Sequence, residues 1–161
     1  MGDDVKTRAE LLDGTRWANE FAWQEIESLA AHLQLRRCAK GDPVCREGEV
    51  DPALFIIATG SVSILKHDAG DHEKLLAKLG PGQTLGEMAL LDGQPRSATA
   101  VATEDLVLLV FTRPALDKLV EAKPRLGVKL IWKLARFLSQ RLRQTSGALA
   151  EHMVVPDQQR R

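Results

Sequence analysis

The chain has 161 residues, of which 44% are hydrophobic and 27% charged, a composition typical of one globular domain that excludes a disordered chain. Its 22 basic and 22 acidic residues balance, so no overall positive field would attract nucleic acid, and direct DNA binding is not expected. No apolar run approaches the length of a membrane span, and the N-terminus lacks the pattern of a secretory signal. The sequence therefore predicts a cytoplasmic protein without membrane contact.

The N-terminal segment, residues 1–32, is predicted to be helical. Its apolar residues recur at roughly helical intervals, and no glycine or proline interrupts residues 15–32. The residues that set this period are Trp17, Phe21, Ile26 and Leu29.

Residues 33–112 follow a different pattern, in which short apolar runs alternate with turn sequences. The runs are VCR, ALFIIA, VSILK, KLLAKL, SATAVAT and LVLLVF, and glycine-bearing turns such as KGDP and GPG separate them. Closely spaced short strands joined by such turns are typical of a compact antiparallel barrel or sandwich. With helices on both sides of the strands, the predicted fold class is α+β.

Residues 113–152 are predicted to form two helices. A short helix over residues 113–122 ends before Pro124, and a long amphipathic helix begins there and reaches about residue 146. Gly147 weakens the long helix and favours an end near that point. Residues 153–161 are predicted to be a frayed tail.

Apolar positions on the long helix step by fours and threes, as in a coiled coil. This seam consists of Gly127, Ile131, Leu134, Leu138, Leu142, Thr145 and Leu149. Leu130 and Phe137 lie off the seam and are expected to pack on the strands. Two apolar faces are more than a monomer needs, so the seam predicts a parallel homodimer through the C-terminal helix. The alternative is that the second face packs on the N-terminal helices.

One insertion among the strands, GEMALLDGQPRSA at residues 86–98, has the residue types of an anion site. Gly86 allows the backbone to approach a ligand closely. Met88 and Ala89 begin one helical turn, whose unpaired N–H groups favour an anion.

The second half of this insertion supplies charge and small residues. Arg96 is a permanent cation that can donate to two phosphate oxygens at once. Ser97 and Ala98 are small enough for their backbone N–H groups to reach the same phosphate. Glu87 would repel an anion, so its presence is explained if it accepts hydrogen bonds from a sugar hydroxyl while Arg96 balances its charge.

The insertion resembles the phosphate-binding cassette of the superfamily that contains catabolite activators and protein kinase A regulatory subunits. The pattern of that cassette is Gly-Glu-apolar-small-Leu, a short spacer, and Pro-Arg-small-Ala, which GEMAL and PRSA fill here. The turn glycines in KGD, EGE and GSV also match, so the resemblance covers about residues 33–146. It implies an antiparallel β-roll, flanked by N-terminal helices and a long C-terminal helix, with a cassette at 86–99 that binds a cyclic nucleotide.

The resemblance also implies a role for each residue of the cassette. Glu87 would bind the ribose 2′-hydroxyl and Arg96 the exocyclic phosphate oxygens. Gly86, Ser97 and Ala98 would donate backbone N–H groups, and Ser97 would add its hydroxyl.

Recognition of the base would come from other parts of the chain. By the same resemblance, Ile64 and Leu76 would be apolar walls against the nucleotide. The stretch RLRQTS resembles the part of the bacterial activators in which a threonine and the following serine reach the adenine, partly across the dimer. Arg141, Thr145 and Ser146 are therefore predicted to contact the base, and cAMP is expected in preference to cGMP.

A regulatory rather than a catalytic role follows from these features. No catalytic or metal-ligand cluster is evident, so neither an enzyme nor a cofactor is expected. Activators of the superfamily carry a helix-turn-helix domain after this helix, whereas only about a dozen residues follow it here. The sequence thus predicts a cAMP receptor module that switches a dimer interface, or an unidentified protein effector in trans, through its C-terminal helix.

Two other interpretations stay open at this point. The chain could be an interaction or dimerisation module that keeps the β-roll but binds no nucleotide. It could also sense another effector, such as haem or an oxidant, for which Cys38 and Cys45 are the only support. These two cysteines fit no zinc or redox spacing and are predicted to be reduced structural thiols, the alternative being a redox pair across neighbouring strands.

Overall fold

The computed structural model describes residues 2–153, which form helices at both ends of the chain and strands between them. The helices are α1 (Val5–Asp13), α2 (Trp23–Ala30), α3 (Glu87–Asp92), α4 (Arg113–Ala122) and α5 (Pro124–His152). The strands are β1 (Gln34–Cys38), β2 (Pro43–Cys45), β3 (Ala53–Thr59), β4 (Val62–His67), β5 (Glu73–Leu79), β6 (Thr84–Leu85), β7 (Thr99–Ala102) and β8 (Leu106–Thr112). Apart from Met153, the predicted frayed tail lies outside the described residues.

The strands form two four-stranded antiparallel sheets. Their orders are β1-β8-β3-β6 and β2-β7-β4-β5, so neighbours in each sheet are mostly distant in sequence. This arrangement confirms the predicted α+β fold with an antiparallel β-roll and a long C-terminal helix. Helix α3 lies within residues 86–98 and follows β6 and precedes β7 in the chain.

Two hydrophobic cores lie on opposite faces of the first sheet, β1-β8-β3-β6. The inter-sheet core contains alternate residues of β3, such as Phe55 and Ile57, and faces the second sheet. The helix-side core contains the intervening residues Leu54 and Ile56, together with side chains of α1, α2, α4 and α5. Because both faces of β3 and β8 are covered, these strands have continuous apolar sequences instead of alternating ones.

The N-terminal segment is helical in two pieces. Gly14 caps the end of α1, and a 3-10 turn at Arg16–Ala18 separates it from α2. Trp17 and Phe21 pack their rings 5.5 Å apart within this connection. The apolar period seen in the sequence thus reflects packing against the helix-side core and not one continuous helix.

Helix α5 is longer than predicted. It continues through Gly147 and ends at His152, so the expected end near residue 146 is wrong. One glycine in a helix interior costs only about 1 kcal/mol, and the leucine and alanine residues around it are good helix formers.

The inner face of α5 packs on the helix-side core. Leu126, Gly127, Leu130 and Leu134 are buried there, so Gly127 and Leu134 do not belong to a free seam, contrary to the sequence prediction. The large apolar residues that α5 exposes are Val128, Ile131, Trp132, Phe137, Leu142 and Leu149.

The N-terminal segment holds α5 through ion pairs as well as apolar contacts. Glu20 lies 2.7 Å from Lys133 Nζ and 2.7 Å from Arg136 Nη2. Glu25 lies 2.8 Å from Lys129 Nζ. These contacts come from charged residues of α5 and not from its exposed apolar residues, so they do not decide between the dimer and the alternative interpretation. Among the described residues, no helix is both long and apolar enough to cross a membrane.

Candidate functional site

A cavity of about 740 Å³ opens between α3, the second sheet and α5. It is lined by every predicted site residue except Thr145 and Ser146. These lining residues are Ile64, Leu76, Gly86, Glu87, Met88, Ala89, Arg96, Ser97, Ala98 and Arg141. The fold thus brings together the two ends of the cassette, both strands of the β4–β5 hairpin, and the middle of α5.

Gly86 lies where the backbone turns from β6 into α3. Its φ of 87° is in the left-handed region, which disfavours any residue with a Cβ. A Cβ at this position would also overlap Nη1 of Arg96 and the backbone carbonyl oxygen of Ala53. The glycine therefore makes room for the arginine side chain at the floor of the cavity.

Arg96 is buried, with only 5% of its surface exposed. Its Nη2 donates to the carbonyl oxygen of Ala53 at 2.9 Å and to Asp51 at 3.2 Å, and its guanidinium lies 4.9 Å from the ring centroid of Phe55. Nε and Nη1 have no hydrogen-bond partner. Buried donors are rarely left unpaired, so this cation is arranged to donate to a further group at the cavity.

Glu87 is the first residue of α3 and is 2% exposed. The hydroxyl of Thr84 donates to its Oε1. Its Oε2 lies 3.9 Å from Nη1 of Arg141, so a cation from α5 reaches the same carboxylate across the cavity. This second oxygen has no closer charged partner among the described residues, and it can accept a hydrogen bond from a ligand hydroxyl.

The rim and walls of the cavity are largely apolar. Ile64 packs against the inter-sheet core, while Leu76 and Met88 are more than half exposed. Phe137 contributes its ring from α5, 5.6 Å from the guanidinium carbon of Arg141. A flat, partly apolar group such as a nucleobase fits between such surfaces.

Thr145 and Ser146 lie one turn of α5 beyond Arg141 and are exposed. The hydroxyl of Thr145 donates to the carbonyl oxygen of Arg141 at 3.0 Å, within its own helix. The chain by itself therefore does not bring these two hydroxyls to the cavity. Their contact with a base stays a prediction that requires movement of α5 or a second copy.

Cys45 lines the cavity, which the sequence did not suggest. Both cysteines are buried free thiols, and burial raises the pKa of Cys45 above its usual value. Cys38 lies on β1 of the first sheet and Cys45 on β2 of the second, so they are not a pair across neighbouring strands.

Asp51 and Thr84 are also site residues that sequence reasoning missed. Each orients one of the two charged groups, Asp51 holding Arg96 and Thr84 holding Glu87. Asp51 precedes β3 and is 45 residues from its partner, so only the folded chain reveals the contact.

The profile of the cyclic nucleotide-binding domain matches residues 35–123, which include the cassette and all eight strands except the first residue of β1. This chain belongs to the cyclic nucleotide-binding domain family.

Sequence relatives include a cyclic AMP receptor protein and a protein kinase regulatory subunit. The chain is 35% identical to the cyclic AMP receptor protein of Thermus thermophilus over 133 residues, 83% of this chain and 60% of that protein. It is 32% identical to the cAMP-dependent protein kinase regulatory subunit of Mycosarcoma maydis over 126 residues, 76% of this chain and 22% of that subunit. This chain therefore spans less than two thirds of the length of either relative.

Solved structures agree with the fold. A cyclic nucleotide-binding domain from Methylobacillus flagellatus superposes with a TM-score of 0.79 at 27% identity, covering 95% of this chain and 86% of that one. The predicted membership of the superfamily is thereby confirmed.

Proposed function

We propose that this domain is a cytoplasmic receptor for a cyclic nucleotide, with cAMP preferred over cGMP. The observation that carries the proposal is Arg96, a 95% buried cation whose Nε and Nη1 are unpaired at the cavity. A buried charge without enough partners is costly, and a phosphate anion would supply the missing acceptors.

The sugar would bind beside Arg96. Glu87 is held in place by Thr84 and keeps one oxygen within the cavity. A cyclic phosphate and a ribose 2′-hydroxyl are close neighbours in a nucleotide, so an arginine and a glutamate in one cavity fit this pair of groups. In the cassette pattern, the glutamate follows a glycine and the arginine follows a proline, as Glu87 and Arg96 do here.

Preference for cAMP is supported by two observations. The two relatives described above, from Thermus thermophilus and Mycosarcoma maydis, are named for cyclic AMP. The base would lie toward α5, where Arg141 lines the cavity and Thr145 and Ser146 follow one turn later. Hydroxyl groups can both donate to and accept from the edge of adenine.

The output would pass through α5. Arg141 extends from α5 to within 3.9 Å of Glu87, so a ligand hydroxyl bound to that carboxylate would compete with this contact. The signal would then reach a protein effector or a second copy of the chain.

A homodimer through α5 is part of this proposal. Val128, Ile131, Ala135, Leu138 and Leu142 lie at intervals of three and four residues on the side of α5 away from the helix-side core. Val128, Ile131 and Leu142 are exposed, and a row of exposed apolar side chains along one helix favours an interaction surface more than a single exposed leucine would. Leu142→Asp should lower the mass measured by light scattering from that of a dimer to that of a monomer. A wild-type protein that is itself monomeric would refute the proposed dimer.

Titration calorimetry with cAMP and cGMP tests nucleotide binding. We expect saturable binding of cAMP, weaker binding of cGMP, and a loss of roughly 2–5 kcal/mol in affinity for Arg96→Ala. Arg46→Ala, which removes an exposed arginine near the same end of the roll, is the control for charge alone. Wild-type affinity in Arg96→Ala, or no heat with either nucleotide, would refute the proposed site.

The second candidate, an interaction module without a nucleotide, predicts no ligand effect on stability. A ligand at one hundred times its dissociation constant adds about 2.7 kcal/mol to the free energy of unfolding. Equal stability with and without saturating cAMP would favour that candidate.

A further inference from the structure

A small charged group of side chains lies behind the cassette, outside the cavity wall. It consists of Glu47, Lys66 and His67, which we call the Lys66 cluster. Lys66 Nζ donates to the backbone carbonyl oxygen of Ser97 at 2.7 Å and lies 3.5 Å from Glu47 Oε1. Glu47 Oε2 accepts from the backbone N–H of His67 at 3.2 Å and lies 3.6 Å from the ring nitrogen Nδ1 of the same residue.

The position of this cluster follows from the strand pairing. The β4–β7 register runs from Val62 opposite Ala102 to Leu65 opposite Thr99, and there it stops. Two residues before Thr99, the carbonyl oxygen of Ser97 accepts from the side-chain amine of Lys66, whereas that of the intervening Ala98 faces Sγ of Cys45. The side chain of Lys66 therefore adds one hydrogen bond beyond the backbone ladder of β4 and β7, at the point where the cassette leaves the sheet.

Glu47 is fixed from two sides. Its backbone N–H donates to the hydroxyl of Thr99 at 3.0 Å. The N–H of His67 donates to its carboxylate and holds the pKa of Glu47 below its usual value, so the group is charged at neutral pH and can orient Lys66.

Peptide geometry connects the cluster to the ligand site. In a planar trans peptide the carbonyl of one residue and the N–H of the next point in opposite directions. With the Ser97 carbonyl directed at Lys66, the N–H of Ala98 points away from Lys66. Ser97 and Ala98 line the cavity, whereas Lys66 and Glu47 are not among the described residues of its wall.

We propose that Lys66, oriented by Glu47, is a positioning residue that turns the Ala98 N–H toward the phosphate of the nucleotide. This inference rests on the proposed function, since it concerns the same site. Lys66 acts through the peptide plane and not as a general attractive charge, because its side chain is 47% exposed and an exposed charge is screened by solvent.

The test uses cAMP and the Rp and Sp phosphorothioate forms of cAMP, in which sulfur replaces one or the other exocyclic oxygen. A directed N–H contacts one of these oxygens and so distinguishes the two forms. For Lys66→Met we expect cAMP affinity to fall about threefold to tenfold, the range for one lost hydrogen bond. We also expect the ratio of Rp to Sp affinities to move toward one.

Lys78→Met is the matched control. Lys78 is an exposed lysine on β5, next to the cavity-lining Ala77 and Leu79, so its replacement removes the same charge. It should leave both cAMP affinity and the Rp to Sp ratio unchanged. Glu47→Gln should act in the same direction as Lys66→Met, and the double variant should lose less than the sum of the two.

Three results would overturn the inference. The first is an unchanged ratio of Rp to Sp affinities in Lys66→Met. The second is an equal loss of cAMP affinity in Lys66→Met and Lys78→Met. The third is a loss of cAMP affinity in the double variant that equals the sum of the losses in Lys66→Met and Glu47→Gln. If wild-type protein binds no nucleotide at all, the proposed function itself fails, which calorimetry of the wild type distinguishes before any variant is made.

Discussion

Replacing Gly86 with alanine tests how the site is built, and Gly93 offers a matched control. Both glycines have a positive φ, 87° and 67°, and they cap the two ends of α3. They differ in their surroundings. A Cβ at Gly86 would overlap the Arg96 guanidinium and the Ala53 carbonyl oxygen, whereas a Cβ at Gly93 would meet nothing within 4 Å.

The expected cost can be divided between backbone and packing. The left-handed conformation should cost about 1–2 kcal/mol for alanine at either position. Overlap at Gly86 should add about 1–3 kcal/mol, because the Ala53 carbonyl belongs to β3 and cannot move aside easily. Gly86→Ala should therefore be about 1–3 kcal/mol less stable than Gly93→Ala, or about 2–12 °C lower in Tm.

Urea unfolding and calorimetry with cAMP measure the two consequences separately. Gly86→Ala should also weaken nucleotide binding, because the new methyl group occupies the place of the Arg96 Nη1 that is left unpaired for the ligand. Gly93→Ala should bind as the wild type does. Equal stability and equal affinity in the two variants would show that close packing around Gly86 does not shape the site.

Further predictions concern α5 and the cavity thiol. Gly127→Ala should destabilise the fold by about 1–3 kcal/mol, since its Cβ would lie 2.8 Å from a methyl group of α4. Gly147 has open space around it, so Gly147→Ala should stabilise α5 by up to about 1 kcal/mol. The midpoints of urea unfolding measure both changes. Burial raises the pKa of Glu20, but the two cations of α5 outweigh burial and keep this pKa below the usual 4.5. Glu20→Gln should therefore cost about 0.5–1 kcal/mol at pH 7, and this difference should disappear as the pH falls through the pKa of the folded state; a constant difference would contradict the ion pairs. With the other cysteine changed to serine, saturating cAMP should slow labelling of Cys45 by a thiol reagent several-fold, and an unchanged rate would place the ligand elsewhere.

The sequence predicted the charged centre of the site well, because its chemistry requires particular residue types at consecutive positions. Glu87 and Arg96 stand nine residues apart in one insertion, and the fold brings both into one cavity. Their supporting residues carried no such signal. Asp51 and Thr84 are ordinary turn and strand residues until folding places each beside its partner.

The elements that were missed have physical reasons. Strand β1, QLRRC, contains three polar residues among five and buries fully only Cys38, so it lacks an apolar period, and β6 is two residues long. On α5, residues spaced by threes and fours occur on both faces. Spacing alone therefore could not separate the buried Gly127 and Leu134 from the exposed Ile131 and Leu142.

The presence of two cores on opposite sides of one sheet implies a graded response to hydrogen exchange. Amides of β3 and β8 lie between both cores, so they should exchange only when the whole domain unfolds. Release of α5 would open the helix-side core, while the inter-sheet core between the two sheets would stay closed. From Arg141 onward α5 is exposed and should exchange fastest, by fraying. Deuterium uptake measured along the chain would thus separate detachment of the helix from melting of the roll, which a single unfolding curve merges.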